Sequence, residues 1–174
     1  MIREIDLPDP SLVVLIGAAG AGKSTFAARH FAPDEILSSD RFRAMVSGDE
    51  ADQSVTHAAF TRLHEELERR LAGGLLTVVD ATSVEPRSRR ALLARAAAAS
   101  VPVVAIVLDL DPSVVLARNA ARTGRVVPED AVRRQLEHLA RAVAPGVLEN
   151  EGFTAVHRIR TADELDRVVI RRHG

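Results

Sequence analysis

A chain of 174 residues with 47% apolar side chains can bury one α/β core and leaves little room for a second, so a single domain spanning 1–174 is expected. The formal charge of −1 excludes a broadly basic surface that coats nucleic acid, and any polynucleotide contact must come from a local arginine cluster. The absence of cysteine rules out disulfides and thiolate metal sites, and no stretch reaches membrane-spanning length, so a soluble cytoplasmic protein is expected.

Along the chain, short β-branched runs alternate with helical patterns, the mark of a parallel sheet covered on both faces. The run Leu12-Val13-Val14-Leu15-Ile16 predicts a strand over 12–16, and a helix carrying Phe26, Ala27 and Phe31 follows Ser24 and stops before Pro33. A second strand is expected over 35–39. The longest helix should run from about Asp52 to Ala72, with Val55, Ala59, Leu63, Leu67 and Leu71 on one buried stripe, and Gly73-Gly74 ends it. A third strand over 75–80 precedes Pro86, which suits a first helical turn, and the alanine-rich 91–99 segment reads as that helix. A fourth strand is expected over 102–109. Asp111 then caps a helix begun by Pro112, and Pro128 opens another. A last strand over 155–160 leads to Thr161-Ala162-Asp163-Glu164, a capping box that opens the final helix.

Residues 17–24, Gly17-Ala18-Ala19-Gly20-Ala21-Gly22-Lys23-Ser24, match G-x-x-x-x-G-K-[ST] between the first strand and the first helix. In that context the backbone of Gly17, Ala18, Gly20, Ala21, Gly22, Lys23, Ser24 and Thr25 can close around a triphosphate, Lys23 neutralises it and Ser24 ligates Mg²⁺. Lys23 is also the only lysine, in a chain that uses arginine for its other basic side chains. A phosphate cradle wants a compact ammonium rather than a planar fork. ATP, or another nucleoside triphosphate, and Mg²⁺ are the implied ligands.

In such a sheet, chemistry collects beyond the carboxyl ends of the strands. Two acids leave the expected strands there: Asp40 in Ser38-Ser39-Asp40-Arg41-Phe42-Arg43, and Asp80 in Asp80-Ala81-Thr82-Ser83. Phosphoryl transfer needs a group on the acceptor hydroxyl and another on the metal side. Asp40 is assigned as the base and Asp80 as the metal-side or loop-orienting acid, although Asp40 also suits a helix N-cap. Arg43 is a clamp for a phosphate or a solvated helix residue. Arg118, Arg122 and Arg125 are spaced four and three apart, so a helix or its frayed end can present them together over the donor, where arginine stabilises a transferring phosphoryl group. The expected fold class is therefore α/β: a P-loop kinase-like three-layer fold with about five parallel strands, helices on both faces and an arginine-bearing helical lid.

These motifs, with Asp52-Gln53-Ser54-Val55-Thr56 and Val78-Val79-Asp80-Ala81-Thr82, resemble the kinase module of bacterial polynucleotide kinase-phosphatase end-repair enzymes, from about residue 10 to 172. The resemblance implies transfer of the γ-phosphate of ATP to the 5′-hydroxyl of RNA or DNA. It implies Lys23 and Ser24 on phosphates and Mg²⁺, Asp40 as general base, Arg43 near the acceptor phosphate, and Arg118, Arg122 and Arg125 as the lid. Gln53 and Thr56 would line the acceptor side. Ser83 stands where that family often has asparagine, and the phosphatase and ligase modules that accompany the kinase are missing, so the chain is an excised module or a stand-alone kinase.

Base recognition is not evident from the sequence. There is no tryptophan or tyrosine, and Phe26, Phe31, Phe42, Phe60 and Phe153 are assigned to the core. His57, His64 and His138 sit in helical patterns and are assigned to packing or solvation. Two rivals remain: a P-loop kinase acting on a small metabolite, and a nonenzymatic nucleotide switch, which would need neither Asp40 nor Arg43.

Overall fold

The computed structural model describes residues 1–48 and 53–174. Its strands are β1 (Arg3–Pro8), β2 (Leu12–Ile16), β3 (Ile36–Ser38), β4 (Thr77–Asp80), β5 (Val103–Leu108), β6 (Ala155–Ile159) and β7 (Val168–His173). The helices are α1 (Lys23–His30), α2 (Ser39–Ser47), α3 (Thr56–Ala72), α4 (Pro86–Ala98), α5 (Pro112–Ala120), α6 (Glu129–Ala142), α7 (Val147–Glu151) and α8 (Ala162–Asp166). Five strands form one wholly parallel sheet in the order β3-β4-β2-β5-β6, so β2 lies at its centre.

Every residue of β2, β4 and β5 is buried, as expected of parallel strands covered on both faces. Alternate residues point to opposite sides. Val13, Leu15, Val78, Val104 and Ile106 meet Phe26, Ala27 and Phe31 of the α1 region together with Val115 and Val132. Leu12, Val14, Ile16, Val79 and Val107 meet the α3 and α4 side. There the stripe of Ala59, Leu63, Leu67 and Leu71 is buried, and Leu92 and Ala96 complete the layer. These two cores make the three-layer α/β fold, with helices on both faces.

The expected strand at 155–160 is present as β6, and the helix expected from about Asp52 is well formed from Thr56 onward. Gln53–Val55 is a single 3₁₀ turn, and Asp52 lies outside the described residues. Pro86 and Pro112 both occupy first helical turns, while Pro128 stands one residue earlier, as the cap of α6.

Two expectations are corrected. The helix opened by Thr161 is only five residues long and gives way to β7. Thr161 does cap it, its Oγ1 accepting from the Glu164 amide at 3.1 Å, but Glu164 reaches back to the Arg160 amide rather than to Thr161. In addition, β1 and β7 pair with each other in a separate two-stranded parallel sheet that the sequence reading did not contain. It is more than a surface ribbon, because Ile5 and Leu7 are fully buried and join the first core with Val168.

That burial gives a test. Ile5→Ala is expected to lower the unfolding free energy by about 2–5 kcal/mol, as for other fully buried aliphatic residues. Urea denaturation followed by circular dichroism measures it, and a loss within a few tenths of a kcal/mol would show that this small sheet does not share in the core.

Candidate active site

The phosphate loop leaves the carboxyl end of β2 and turns into α1. Gly20 and Gly22 adopt left-handed φ values of 89° and 98°, and Gly22 is the cap from which α1 begins. At Gly20 a side chain has no room, since a Cβ would stand 2.5 Å from the Val115 carbonyl oxygen and 2.9 Å from the Asn119 amide. The loop is thus pressed against the last turns of α5, the helix that delivers the arginines.

Three further contacts hold the loop. The Gly17 amide donates to the Thr82 carbonyl at 3.0 Å, tying the loop to the turn after β4. The Ala21 amide donates to the Ala18 carbonyl at 3.1 Å. The Ala19 amide donates to Gln135 Oε1 of α6 at 2.8 Å. Gln135 carries no sequence signal, because its partner lies 116 residues away.

Lys23 is buried, and its Nζ donates to the Ala18 carbonyl at 3.0 Å. Burial lowers its pKa to about 8, with Asp80 and Asp40 opposing the shift and Arg122 and Arg125 adding to it. Both carboxylates and both arginines therefore act on the same ammonium. Ser24 Oγ donates to Asp80 Oδ2 at 2.7 Å, which puts a hydroxyl and a carboxylate together at the start of α1. Such a pair, completed by phosphate oxygens and water, suits Mg²⁺, which is ordinarily held by one or two protein ligands. Among the described residues no cluster of three or more histidines or carboxylates could hold a metal without that help.

Beside the loop lies a cavity of about 350 Å³ lined by Gly20, Gly22, Lys23, Ser24, Arg118 and Arg122. Thr25 and Phe26 also border it, as do Leu165 and Asp166 of α8, a segment the sequence reading gave no part in the site. Gly17, Ala18 and Ala21 shape the loop beneath, with backbone groups engaged in the contacts above.

The arginine segment divides in two. Arg118 stands on the last turn of α5, but the helix stops at Ala120, so Arg122 and Arg125 belong to the loop before α6 rather than to a helical lid. Buried Asn119 closes that loop: its Nδ2 donates to the Val127 carbonyl at 2.7 Å and its Oδ1 accepts from the Val127 amide at 3.1 Å. Arg118 and Arg122 face the cavity. Arg125 turns away from it and donates from Nη1 to Asp40 Oδ1 at 2.6 Å.

Asp40 sits in the first turn of α2, and the cap of that helix is Ser38, whose Oγ accepts from the Arg41 amide at 3.3 Å. The carboxylate is therefore not used as a cap. It is paired with Arg125 and with Arg43, whose Nη1 lies 3.1 Å from Oδ1. Arg43 is buried, and its Nε and Nη1 lack an aligned hydrogen-bond acceptor. Burial first, and Arg125 second, lower its pKa, with Asp40 opposing. Nη1 has only the ion pair with Asp40 and Nε has no acceptor, so this buried guanidinium is poised for a further anion.

Ser83, which stands where the resembled family often has asparagine, has φ 49°. Asparagine tolerates this region better than serine, so the departure from the resembled pattern falls on a backbone constraint. The strain is met by buried Arg89, whose Nη1 donates to the Ser83 and Val84 carbonyls at 3.1 and 2.8 Å while Glu151 takes its other edge at 2.6 and 2.7 Å.

A second cavity, of about 490 Å³, opens between α3 and α4 beside the turn after β4. Thr56 lines it, while the side chain of Gln53 lies outside the described part of the structure. His57, His64 and Phe60 line it as well, so Phe60 is only partly given to the core and two of the histidines border a candidate site.

The sheet order, phosphate loop and arginine segment define a P-loop kinase-like fold. A family model described as an AAA domain matches residues 12–145, and the chain belongs to that family, whose P-loop implies nucleotide binding. No curated protein matches it. Among solved structures, a candidate kinase from Chloroflexus aurantiacus is 16% identical with a TM-score of 0.61, over 90% of this chain and 91% of that one. A chain of the Pnkp1/Rnl/Hen1 RNA repair complex is 24% identical with a TM-score of 0.66, over 83% of this chain and 47% of that one. A gluconokinase from Sinorhizobium meliloti is 20% identical with a TM-score of 0.55, over 92% of this chain and 87% of that one. At these identities the likeness is one of fold.

The Lys23 ammonium gives a pH test. A bound triphosphate raises the lysine pKa above its free value of about 8. Below that pH the lysine is already charged and binding moves no proton onto it. Above it, binding must recharge the amine, so nucleotide affinity is expected to fall by up to about tenfold per pH unit. The terminal phosphate loses its last proton near pH ~6, outside this window. Titration calorimetry from pH 7 to 10 measures the effect, and Lys23→Met should flatten the profile.

Proposed function

We propose that the chain, acting as one P-loop kinase domain, is an ATP-dependent phosphotransferase whose acceptor is the 5′-hydroxyl end of RNA or DNA. The observation that carries the reading is the placement of Asp40. Its carboxylate is free of capping duty, stands beside two arginines, and acts electrostatically on the same ammonium as the metal-side Asp80. A nucleotide switch has no need of such a group.

The residues divide the work. Lys23 and the N-terminus of α1 hold the β and γ phosphates, and Arg118 and Arg122 cover the donor from the α5 side. Ser24 and Asp80 would hold Mg²⁺, which when bound draws charge from the transferring phosphoryl oxygens. Asp40 orients the acceptor hydroxyl and takes its proton as the new phosphorus–oxygen bond forms. Arg43 offers its unpartnered N–H groups to the phosphate next to the acceptor hydroxyl. Arg125, held on Asp40, finds a second anion once a triphosphate lies beside it, and can leave the carboxylate for the developing charge.

A polynucleotide acceptor is supported by the ordered motif resemblance and by the TM-score of 0.66 to the RNA repair complex chain. A metabolite acceptor remains the second reading, favoured by the near full-length likeness to a gluconokinase. A cytoplasmic location, where ATP is supplied, goes with either. Phosphatase and ligase activities would have to come from other modules or partners.

Incubation with labelled ATP, Mg²⁺ and separate pools of 5′-hydroxyl RNA, 5′-hydroxyl DNA and small metabolites decides between them. Label is expected on the oligonucleotides, and label on metabolites alone would end the polynucleotide reading. Asp40→Asn is expected to lower kcat by about 10²–10⁴-fold with the Kd for ATP little changed. Unaltered turnover would remove Asp40 from the proton-transfer role. Arg122→Ala should lower kcat more than it raises the acceptor KM, measured under saturating ATP.

A further inference from the structure

We propose that Phe60 and His64 of α3 form the stacking wall for the terminal nucleobase of the acceptor strand, within the cavity between α3 and α4. The proposal rests on the polynucleotide reading above. It also supplies what the sequence did not show, a surface that recognises a base.

The two rings are neighbours one helical turn apart, with centroids 6.1 Å apart and planes inclined at 57°. Both line the cavity of about 490 Å³, and Phe60 is divided between the core of that side and the open space. An aliphatic residue would have served the core alone. Val79, Ala81 and Leu92 extend the apolar surface, whereas Thr61, Ser83 and Glu85 stand on the lining as hydrogen-bonding groups. The cavity therefore offers one aromatic face for stacking, with the second ring inclined beside it and polar groups on the lining.

That chemistry selects among acceptors. A nucleobase has two π faces without hydrogen-bonding atoms and a polar edge, so it can cover the apolar wall and still satisfy its donors and acceptors. A sugar can lay a C–H face against a ring, but it has no π face and gains less from two aromatic neighbours than a base does. Burial lowers the pKa of His64, with Arg95 adding and Glu68 opposing, which favours a neutral ring that stacks without a charge to desolvate.

The position also fits. Thr82 and Ser83 leave β4 directly after Asp80, which pairs in register with Ser38, two residues before Asp40. Cavity and carboxylate thus lie beyond the same end of two neighbouring strands, whose backbones run about 4.8 Å apart. The same turn is tied to the phosphate loop through Thr82 and Gly17.

The test compares two oligonucleotides with the same 5′-hydroxyl and phosphates, one ending in a normal nucleotide and one in a tetrahydrofuran abasic residue. With the unaltered protein, the abasic end is expected to raise the acceptor KM by about 5- to 100-fold with little change in kcat. Phe60→Leu, which keeps apolar volume on the core side, should raise KM for the normal end by a similar factor and leave the abasic KM and the Kd for ATP unchanged. Equal KM values for the two ends, or a Phe60→Leu effect of the same size on both, would overturn the stacking wall while leaving the kinase reading in place. Transfer to neither oligonucleotide would overturn the polynucleotide reading and this inference with it.

Discussion

A lone ammonium buried in a glycine loop is the constraint around which this molecule is arranged. Taking Lys23 out of water costs free energy, visible in its lowered pKa, and the fold offsets that cost with the Ala18 carbonyl and the carboxylates of Asp80 and Asp40. The compensation is incomplete, and the site is left with more cations than anions once Arg43, Arg118, Arg122 and Arg125 are included. A polyanion completes it. The left-handed glycines serve the same end, since Gly20 lets α5 approach closely enough to bring Arg118 and the start of the next loop beside the phosphate loop.

Around Asp40 and Asp80, order is imposed by register. The parallel pairing of β3 with β4 sets Ser38 beside Asp80, so the two acids that follow these strands emerge together. Arg89 and Glu151 then fix the turn that carries Thr82 and Ser83, and the Gly17 amide locks that turn to the phosphate loop. The phosphate loop, Asp80 and the turn that borders the second cavity are therefore parts of one hydrogen-bonded unit.

The loop between α5 and α6 is built differently. Asn119 anchors both of its ends through Val127, and between them Arg122 and Arg125 reach in different directions, one to the donor cavity and one to Asp40. A short loop fixed at its base and held at its tip by an ion pair can redirect a guanidinium without disturbing the sheet.

Local rules made much of this legible. A glycine loop between a strand and a helix, buried β-branched runs, and the stripe on α3 each have a cause within a few residues, and each stands where the sequence put it except Val55, which falls half-buried in the 3₁₀ turn before α3. The pair of β1 and β7 was not legible, because each strand has one exposed face and its partner lies at the other end of the chain. Nor was the direction of Arg125, which depends on where a loop ends and on a carboxylate 85 residues away. By pattern Phe60 read as core and His64 as packing or solvation, since periodicity reports which face of a helix is covered but not whether the cover is a neighbouring helix or a cavity. The sequence by itself determined the nucleotide cradle and the parallel sheet, whose interactions are local or periodic. Only the tertiary structure decided which arginine meets which carboxylate and what lines the cavity between α3 and α4, because these follow from distances between segments that no local pattern encodes.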